Sequence, residues 1–425
     1  MNFTTKMTGA ASLLGIVVGL SIPAHAQRAP TGAKKQAEAQ PAQAEQAGPK
    51  RNFTKGAMKA LQELQVAANA NDTATFPAKL AAAQAVAKTP DDRYFIAQMQ
   101  YLMAQKASDE PGLRRAIDAI IASGGATAEE MPKLQRGLGV LAVKAKDYPA
   151  AIAAYQQVLK ASPNDTAITN DLILLHRDQK QHAQALALAE QSIAASKTAG
   201  QKAPENIYRL GLQSALDGKV RARILPLTRD WLAAYPSQKS WSDALNIYRQ
   251  TVDTDDDATL DTFRLMRATK SLDRSNEYIA LADTLARGRF YAEARDVVNE
   301  GVRAGKFPAS NASAAAILKE VSGRIAGDRT ALAGLEGRAR SEASGAFALK
   351  IAEGYYGHGD YAKAADFYRL ALQKGSVDAN LVNTRLGMSL AQAGRKAEAE
   401  AALSAVTGPR ADLAGLWLLW LNQRA

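Results

Sequence analysis

One stretch, residues 138–163, constrains the fold more than any other part of the chain. Its marked positions are Leu138, Gly139, Asp147, Tyr148, Ala151, Tyr155 and Pro163. The small residues Gly139 and Ala151 let two helix axes approach closely, and the ring of Tyr155 fills the space beside them. Pro163 lacks a backbone donor and biases the residue before it away from helix, so the second helix ends there. The stretch therefore predicts an antiparallel helical hairpin.

The small position of this hairpin recurs roughly every 35 residues along the chain. The recurring positions are Ala78, Ala116, Ala151, Ala185, Ile224, Thr259, Ala294, Arg329, Ala364 and Ala399. Gly-Asp-Tyr at 359–361 precedes Ala364 as Tyr148 precedes Ala151, which predicts a tight turn closed by an aromatic ring. The register fits poorly at Arg329, although helices are still expected at 312–326 and 329–341. The pattern predicts an all-α chain of stacked hairpins.

The hairpin resembles the tetratricopeptide repeat (TPR), whose pattern is W-x2-L-G-x2-Y…A-x3-F…P. Gln135 stands at the Trp place and Ala142 at the first Tyr place. The resemblance implies a right-handed α-solenoid of about ten hairpins over 53–425, with the best repeats at 133–163 and 346–406. A related α-solenoid without TPR geometry is the alternative.

The TPR resemblance also implies a binding surface, because the first helix of each pair lines the concave face in that family. Carried over residue by residue, it gives the candidate binding residues Lys133, Arg136, Lys144, Asn170, Arg177 and Tyr208, with Val140, Leu174 and Leu212 between them. This mixed set suits an extended ligand that carries carboxylates or other anionic groups. The alternative is a solvated basic face without a specific ligand. The register is weakest near Tyr208, where Leu210-Gly211 lies one residue out of phase.

The N-terminal residues 1–26 read as a secretory signal peptide. Lys6 supplies the positive charge, an apolar stretch follows, and Ala24-His25-Ala26 forms an A-x-A cleavage site. Cleavage after Ala26 would leave a mature protein without a transmembrane segment, and an uncleaved anchor is the alternative. Residues 27–52, rich in Ala, Gln and Pro, predict a disordered linker.

The C-terminal residues 413–425 predict a helix that carries Trp417 and Trp420 on one face. One interpretation is a capping helix that covers the last repeat. The other is a contact with a partner or a second copy, because an exposed Trp is costly unless it binds something.

Composition and motifs do not indicate a catalytic or metal-binding site. The chain has no cysteine, so we expect no disulfide and no thiol nucleophile. His176, His182 and His358 lie at predicted hairpin ends and lack metal-ligand spacing. Asp253, Asp255 and Asp257 imitate the start of a calcium loop, but Ala258 replaces the required Gly, so they predict a capped helix instead. We expect no catalytic residue, no metal and no cofactor.

The net charge of +11 is spread along the chain. No basic tract or aromatic–basic motif predicts nucleic-acid binding. Together with the signal peptide, the pattern predicts a non-enzymatic interaction scaffold in the bacterial cell envelope, exported to the periplasm, that binds a protein or peptide in its groove. The alternative is a binder of anionic glycan, either peptidoglycan or exported polysaccharide.

Overall fold

The computed structural model describes residues 51–424. The predicted signal peptide and residues 27–50 of the predicted linker lie outside the described residues. Arg51 and Asn52 end that predicted linker, yet both are held by the fold. Arg51 Nη1 donates to the carbonyl of Gly125 at 2.7 Å, and its guanidinium lies 3.5 Å from the centroid of the Tyr94 ring. The backbone N–H of Asn52 donates to Asp91 at 2.6 Å, so the ordered chain includes both residues.

Every regular element in the described residues is helical, as the sequence predicts. The chain divides into two compact units, the first ending at Leu175 and the second beginning at His176. The first unit contains α1 (Met58–Asn69), α2 (Phe76–Val86), α3 (Pro90–Lys106), α4 (Glu110–Ala122), α5 (Met131–Lys144), α6 (Tyr148–Ala161) and most of α7 (Thr166–Asp178).

The second unit continues the succession of helices. It contains α8 (His182–Thr198), α9 (Glu205–Asp217), α10 (Arg221–Ala234), α11 (Gln238–Thr251), α12 (Asp256–Ala268), α13 (Ser275–Arg287), α14 (Tyr291–Arg303), α15 (Ala312–Ser322), α16 (Ile325–Ser341), α17 (Gly345–Gly357), α18 (Tyr361–Lys374), α19 (Ala379–Gln392), α20 (Lys396–Ser404), a 3₁₀ turn (Gly408–Arg410) and α21 (Ala411–Gln423). The expectation of an all-α helical-repeat fold is confirmed.

The hairpin turns repeat in backbone conformation as well as in sequence. A residue with positive φ lies two positions before the second helix at Ser108, Lys146, Lys180, Lys219, Arg289, Gly359 and Gly394. At Lys146 the next backbone N–H, of Asp147, donates to the carbonyl of Ala142 at 2.8 Å. This bond and the left-handed residue together form the Schellman motif, which ends a helix and reverses the chain. The repeat is therefore a property of the backbone too.

The helices of the best hairpin approach where the sequence predicts. A Cβ added to Gly139 would lie 2.2 Å from Cε1 of Tyr155, so α5 and α6 are in contact through a glycine and a ring. A Cβ on Gly387 would lie 2.4 Å from Leu403 in the same way. Ala151 and Ala364 are fully buried, and the packing role of these positions is confirmed.

Two predicted packing positions are wrong. Ala78 and Arg329 are both exposed, although each lies near the start of the second helix of a pair. In α16 the buried contact comes from Leu332, whose Cδ2 lies 2.4 Å from the place of a Cβ on Gly354. The register therefore slips by three residues in α16, where Gly and Ala leave few side chains to mark a face.

Substitution of Gly139 with alanine should destabilise the first unit. The new methyl group would overlap the Tyr155 ring, and such overpacking costs about 1–3 kcal/mol, against a gain of about 1 kcal/mol in helix propensity. Gly334→Ala in α16 is the matched control, since nothing lies within 4 Å of its added Cβ. Thermal melts followed by circular dichroism should place Gly139→Ala below the wild type and Gly334→Ala at or above it. Equal melting of both variants would contradict the packing.

The last helix of the second unit reaches back to helices far earlier in the chain. Gln423 Nε2 donates to the carbonyl of Leu232 at 2.9 Å, across 191 residues of sequence. Gln423 Oε1 accepts from Trp241 Nε1 at 3.1 Å, and Arg229 Nη2 donates to Asp412 Oδ1 at 2.8 Å. Helix α21 thus packs against α20 and also joins α10 and α11, which the sequence did not predict.

Candidate binding surfaces

Three of the predicted groove residues lie on α5 in the first unit, at positions that place them along one face. Lys133 is exposed and has no ion-pair partner among the described residues. Arg136 pairs with Asp165 and its side chain is 41% exposed. Lys144 Nζ lies 2.7 Å from Glu110 Oε1, with its side chain 48% exposed. We call Lys133, Arg136 and Lys144 the α5 basic face. The Lys144–Glu110 pair is solvated on both sides, so it is weak and can be exchanged for another carboxylate. In the Arg136 pair the arginine is exposed, whereas Asp165 is only 20% exposed.

The carboxylates beside the α5 basic face are partly buried. Burial raises the pKa of Asp171, while a hydrogen bond from Asn170 and the charge of Arg136 lower it. Burial and the charge of Asp171 raise the pKa of Tyr155 to about 12, so the phenol stays neutral. Asp165 also accepts from the backbone N–H of Ile168 at 3.0 Å and caps α7. The side chain of Asn170 is thus hydrogen-bonded to Asp171.

The two predicted groove residues in the second unit differ in exposure. Arg177 is 23% exposed, and its Nη2 donates to Asp217 Oδ2 at 3.1 Å. Tyr208 is buried and packs edge-on against Tyr235 with ring centroids 5.9 Å apart. The expectation that Tyr208 faces a ligand is wrong. A shift of one residue turns a helix by about 100°, and the register of this hairpin is one residue out of phase.

Trp417 and Trp420 lie inside the second unit. Trp417 is 0% exposed, and the two indoles pack edge-to-face with centroids 5.3 Å apart. Arg424 covers the outer ring of Trp420 at 4.6 Å. Neither indole is presented to a partner, because α21 turns this face toward the core. The predicted C-terminal contact site is therefore not available in this structure.

A cluster of buried ion pairs, absent from the sequence predictions, fills the interior of the second unit. Arg385 on α19 is 2% exposed. Its Nε lies 3.1 Å from Asp261, its Nη2 lies 2.6 Å from Asp257, and its Nη1 pairs with Glu353. Each nitrogen of one guanidinium thus holds a different carboxylate, which only the planar fork of arginine allows.

Two further arginines extend this cluster. Arg264 on α12 pairs with Glu293 through two bonds of 3.1 and 2.7 Å and lies 4.4 Å from the centroid of the Tyr356 ring. Arg410 Nη2 donates to both oxygens of Asp255 at 3.0 Å. We call Asp255, Asp257, Asp261, Arg264, Glu293, Glu353, Arg385 and Arg410 the buried charge cluster. Asp255 and Asp257 lie at its rim, with side chains 65% and 52% exposed. Asp255 also caps α12 by accepting from Ala258 N–H at 2.6 Å, as the sequence predicts.

The pKa values of the cluster follow from burial opposed by pairing. Burial lowers the pKa of Arg385, but the Asp261 and Glu353 carboxylates raise it well above its usual value. Burial raises the pKa of Glu353, and the charge of Arg385 opposes that rise. Arg385 therefore remains charged. Glu353 and Arg385 both lie on the first helices of their hairpins. In this unit these two polar side chains pair with each other.

The described residues contain no group of three or more His, Asp or Glu side chains that could hold a metal ion. Among the helices of residues 51–424, none combines the length and apolar character needed to cross a membrane. His176 Nδ1 lies 2.6 Å from Gln181 Oε1 at a hairpin end, which the sequence predicts for this histidine.

Comparison with known proteins finds similar solved structures only at low identity and low TM-score. The sequence matches no established protein-family profile and no curated protein. Among solved structures, a chain of the Naa15/Naa10 complex bound to HypK-THB aligns over 84% of this chain and 64% of its own length, with 12% identity and a TM-score of 0.36. This protein thus spans less than two thirds of that chain.

Two further structures align over most of their own length. A tetratricopeptide repeat protein from Parabacteroides merdae aligns over 69% of this chain and 99% of its own, with 10% identity and a TM-score of 0.28. The apo form of the quorum sensor NprR from B. thuringiensis aligns over 75% and 99%, with 12% identity and a TM-score of 0.26. At these scores no argument about function rests on them. The helices and turns described above make the chain a TPR-like helical-repeat protein.

Proposed function

We propose that this protein is a non-enzymatic interaction scaffold of the cell envelope, which binds an extended, acidic segment of a partner protein on the α5 basic face. The observation that carries the proposal is the exposure of the three cationic side chains on this face. Lys133 is exposed without an ion-pair partner among the described residues, and the side chains of Arg136 and Lys144 are 41% and 48% exposed. A carboxylate that arrives there can bind Lys133 and Lys144 without breaking a buried interaction.

The chemistry of α5 favours a peptide over a glycan. The helix sequence, MPKLQRGLGVLAVK, contains no aromatic residue, so it offers no flat apolar face on which a sugar ring could stack. Its cations instead suit carboxylates held by charge-assisted hydrogen bonds. The envelope location follows from the signal peptide predicted at residues 1–26, which lies outside the described residues.

A photo-crosslinking amino acid at Val140, between Arg136 and Lys144, tests the proposal in intact cells of the native host. Irradiation should give one or a few discrete protein adducts in the envelope fraction. The same amino acid at Gln157, exposed on α6, serves as the control position and should give none of them. An adduct digested by a muramidase would assign the surface to glycan and overturn the peptide proposal.

The charge dependence is tested with two triple variants that lose the same charge. Lys133→Gln/Arg136→Gln/Lys144→Gln should abolish the Val140 adducts. Lys55→Gln/Lys146→Gln/Lys160→Gln changes three exposed lysines outside the α5 basic face and should leave the adducts in place. Adducts that survive the first variant, or disappear equally in both, would show that the α5 basic face does not bind the partner.

A further inference from the structure

A cleft in the second unit lies apart from the α5 basic face and from the buried charge cluster. It is formed by the first turns of α14 and α16, the end of α15 and the end of α17. Its volume is about 630 Å³, within the range of roughly 300–1,000 Å³ that small-molecule sites occupy. The side chains that give it chemical character are Arg295, Arg329, Thr330, His358, Ala292 and Ile325.

The charges at this cleft are available to a ligand. Arg329 is exposed, and no ion-pair partner for it occurs among the described residues. Within residues 51–424, Arg295 pairs only with its neighbour Asp296, at 2.8 Å, and the two side chains are 41% and 44% exposed. An incoming anion can therefore replace Asp296 at little cost. Neither guanidinium is needed to satisfy a buried carboxylate, in contrast to Arg264 and Arg385 deeper in the same unit.

Two contacts join the helices that form the walls of the cleft. His358 Nε2 lies 2.8 Å from Asp328 Oδ2, which joins the end of α17 to the first turn of α16. Arg324 Nη1 donates to the hydroxyl of Tyr291 at 3.1 Å, which joins α16 to the start of α14. Arg295 and Arg329, which both line the cleft, thus lie on two helices that these contacts join.

We propose that this cleft binds a small organic oxyanion, whose carboxylate or phosphate group is held by Arg295 and Arg329 and whose apolar part lies against Ala292 and Ile325. Arginine suits both groups because its planar fork donates to two oxygens at once. The first turns of α14 and α16 also face the cleft.

Isothermal titration calorimetry of the mature chain tests the cleft with three probes: succinate, glycerol phosphate and inorganic phosphate. The probes are compared at one ionic strength, because general charge attraction is screened equally there. At least one probe should bind with 1:1 stoichiometry and a Kd of about 1 mM or tighter. Binding of succinate alone would assign a carboxylate ligand, and binding of the phosphates alone a phosphate ligand.

Two double variants separate a site from general positive charge. Arg295→Gln/Arg329→Gln should weaken the bound probe by about 10-fold or more without changing the thermal melt, because no buried partner is lost. Arg303→Gln/Lys350→Gln removes two exposed cations of α14 and α17 that do not line the cleft, and should bind like the wild type. Failure of all three probes to bind at about 10 mM, or equal loss in both variants, would overturn the proposal.

Discussion

Substitution of Arg385 with methionine should lower the free energy of unfolding of the second unit by about 3–5 kcal/mol. The change removes the guanidinium that holds Asp261 and Glu353. Asp261 is fully buried and then keeps only its longer contacts, 3.3 Å to Arg264 and 3.5 Å to Arg410. A buried carboxylate that loses its closest partner costs more than the net stabilisation that the intact pair provides. This is the largest effect that we expect from any single charged residue in the chain.

Urea unfolding followed by tryptophan fluorescence measures this effect in one unit only. All four tryptophans, at positions 231, 241, 417 and 420, belong to the second unit. The midpoint of the fluorescence transition should fall in Arg385→Met, and the loss should persist in about 0.5 M salt, because buried pairs are poorly screened. A transition at the wild-type midpoint would contradict the assigned role.

Two further variants show whether geometry or charge is responsible. Arg369→Met removes a solvated arginine that pairs with Asp366 and Glu398, and it should change stability by less than about 1 kcal/mol. Arg385→Lys keeps the charge but cannot reach three carboxylates at once, so its loss should lie between those of the two methionine variants. If Arg385→Lys matched the wild type, charge alone would explain the cluster.

The repeat pattern was predictable because its contacts are short in sequence. Gly139 and Tyr155 lie in adjacent helices of one hairpin, and the turn between them has its own residue preferences. A small residue and a ring at a fixed spacing therefore define the contact, and the turns at Lys146 and Gly359 mark the same boundaries. In the Gly- and Ala-rich helix α16, few large apolar side chains mark the buried face, and there the predicted register was wrong.

The buried charge cluster could not be predicted from one sequence. Arg385 and Asp261 are 124 residues apart, and their meeting depends on how successive hairpins curve. The local pattern does show Asp257, Asp261 and Arg264 at helical spacing on α12, which identifies a charged face but not its burial. The α5 basic face was predicted from the TPR resemblance, yet only the structure shows that two of its cations already pair with carboxylates.

The second large effect on stability is expected in the C-terminal helix. A Trp417 variant should lower stability if the indole belongs to the core, and should break an assembly if the indole belongs to an interface. Trp417→Ala should destabilise the second unit by about 3–5 kcal/mol, the usual cost of truncating a large buried aromatic side chain. Trp417 is fully buried, and α21 is further held through Gln423 and Asp412. Loss of the indole leaves a cavity between α21 and the helices that it covers.

Two measurements on three variants distinguish a core residue from a docking residue at position 417. If Trp417 is a core residue, Trp417→Ala should shift the fluorescence transition of the remaining tryptophans to a lower urea concentration. Light scattering should then give the same mass as for the wild type. Trp417→Phe should lose much less stability than Trp417→Ala, because the indole Nε1 has no hydrogen-bond partner among the described residues. Leu335→Ala, at a partly exposed position of α16, should be nearly neutral. A Trp417→Ala chain with wild-type stability and a smaller mass would instead make this face an interface, since truncation would then break an assembly and leave the fold intact.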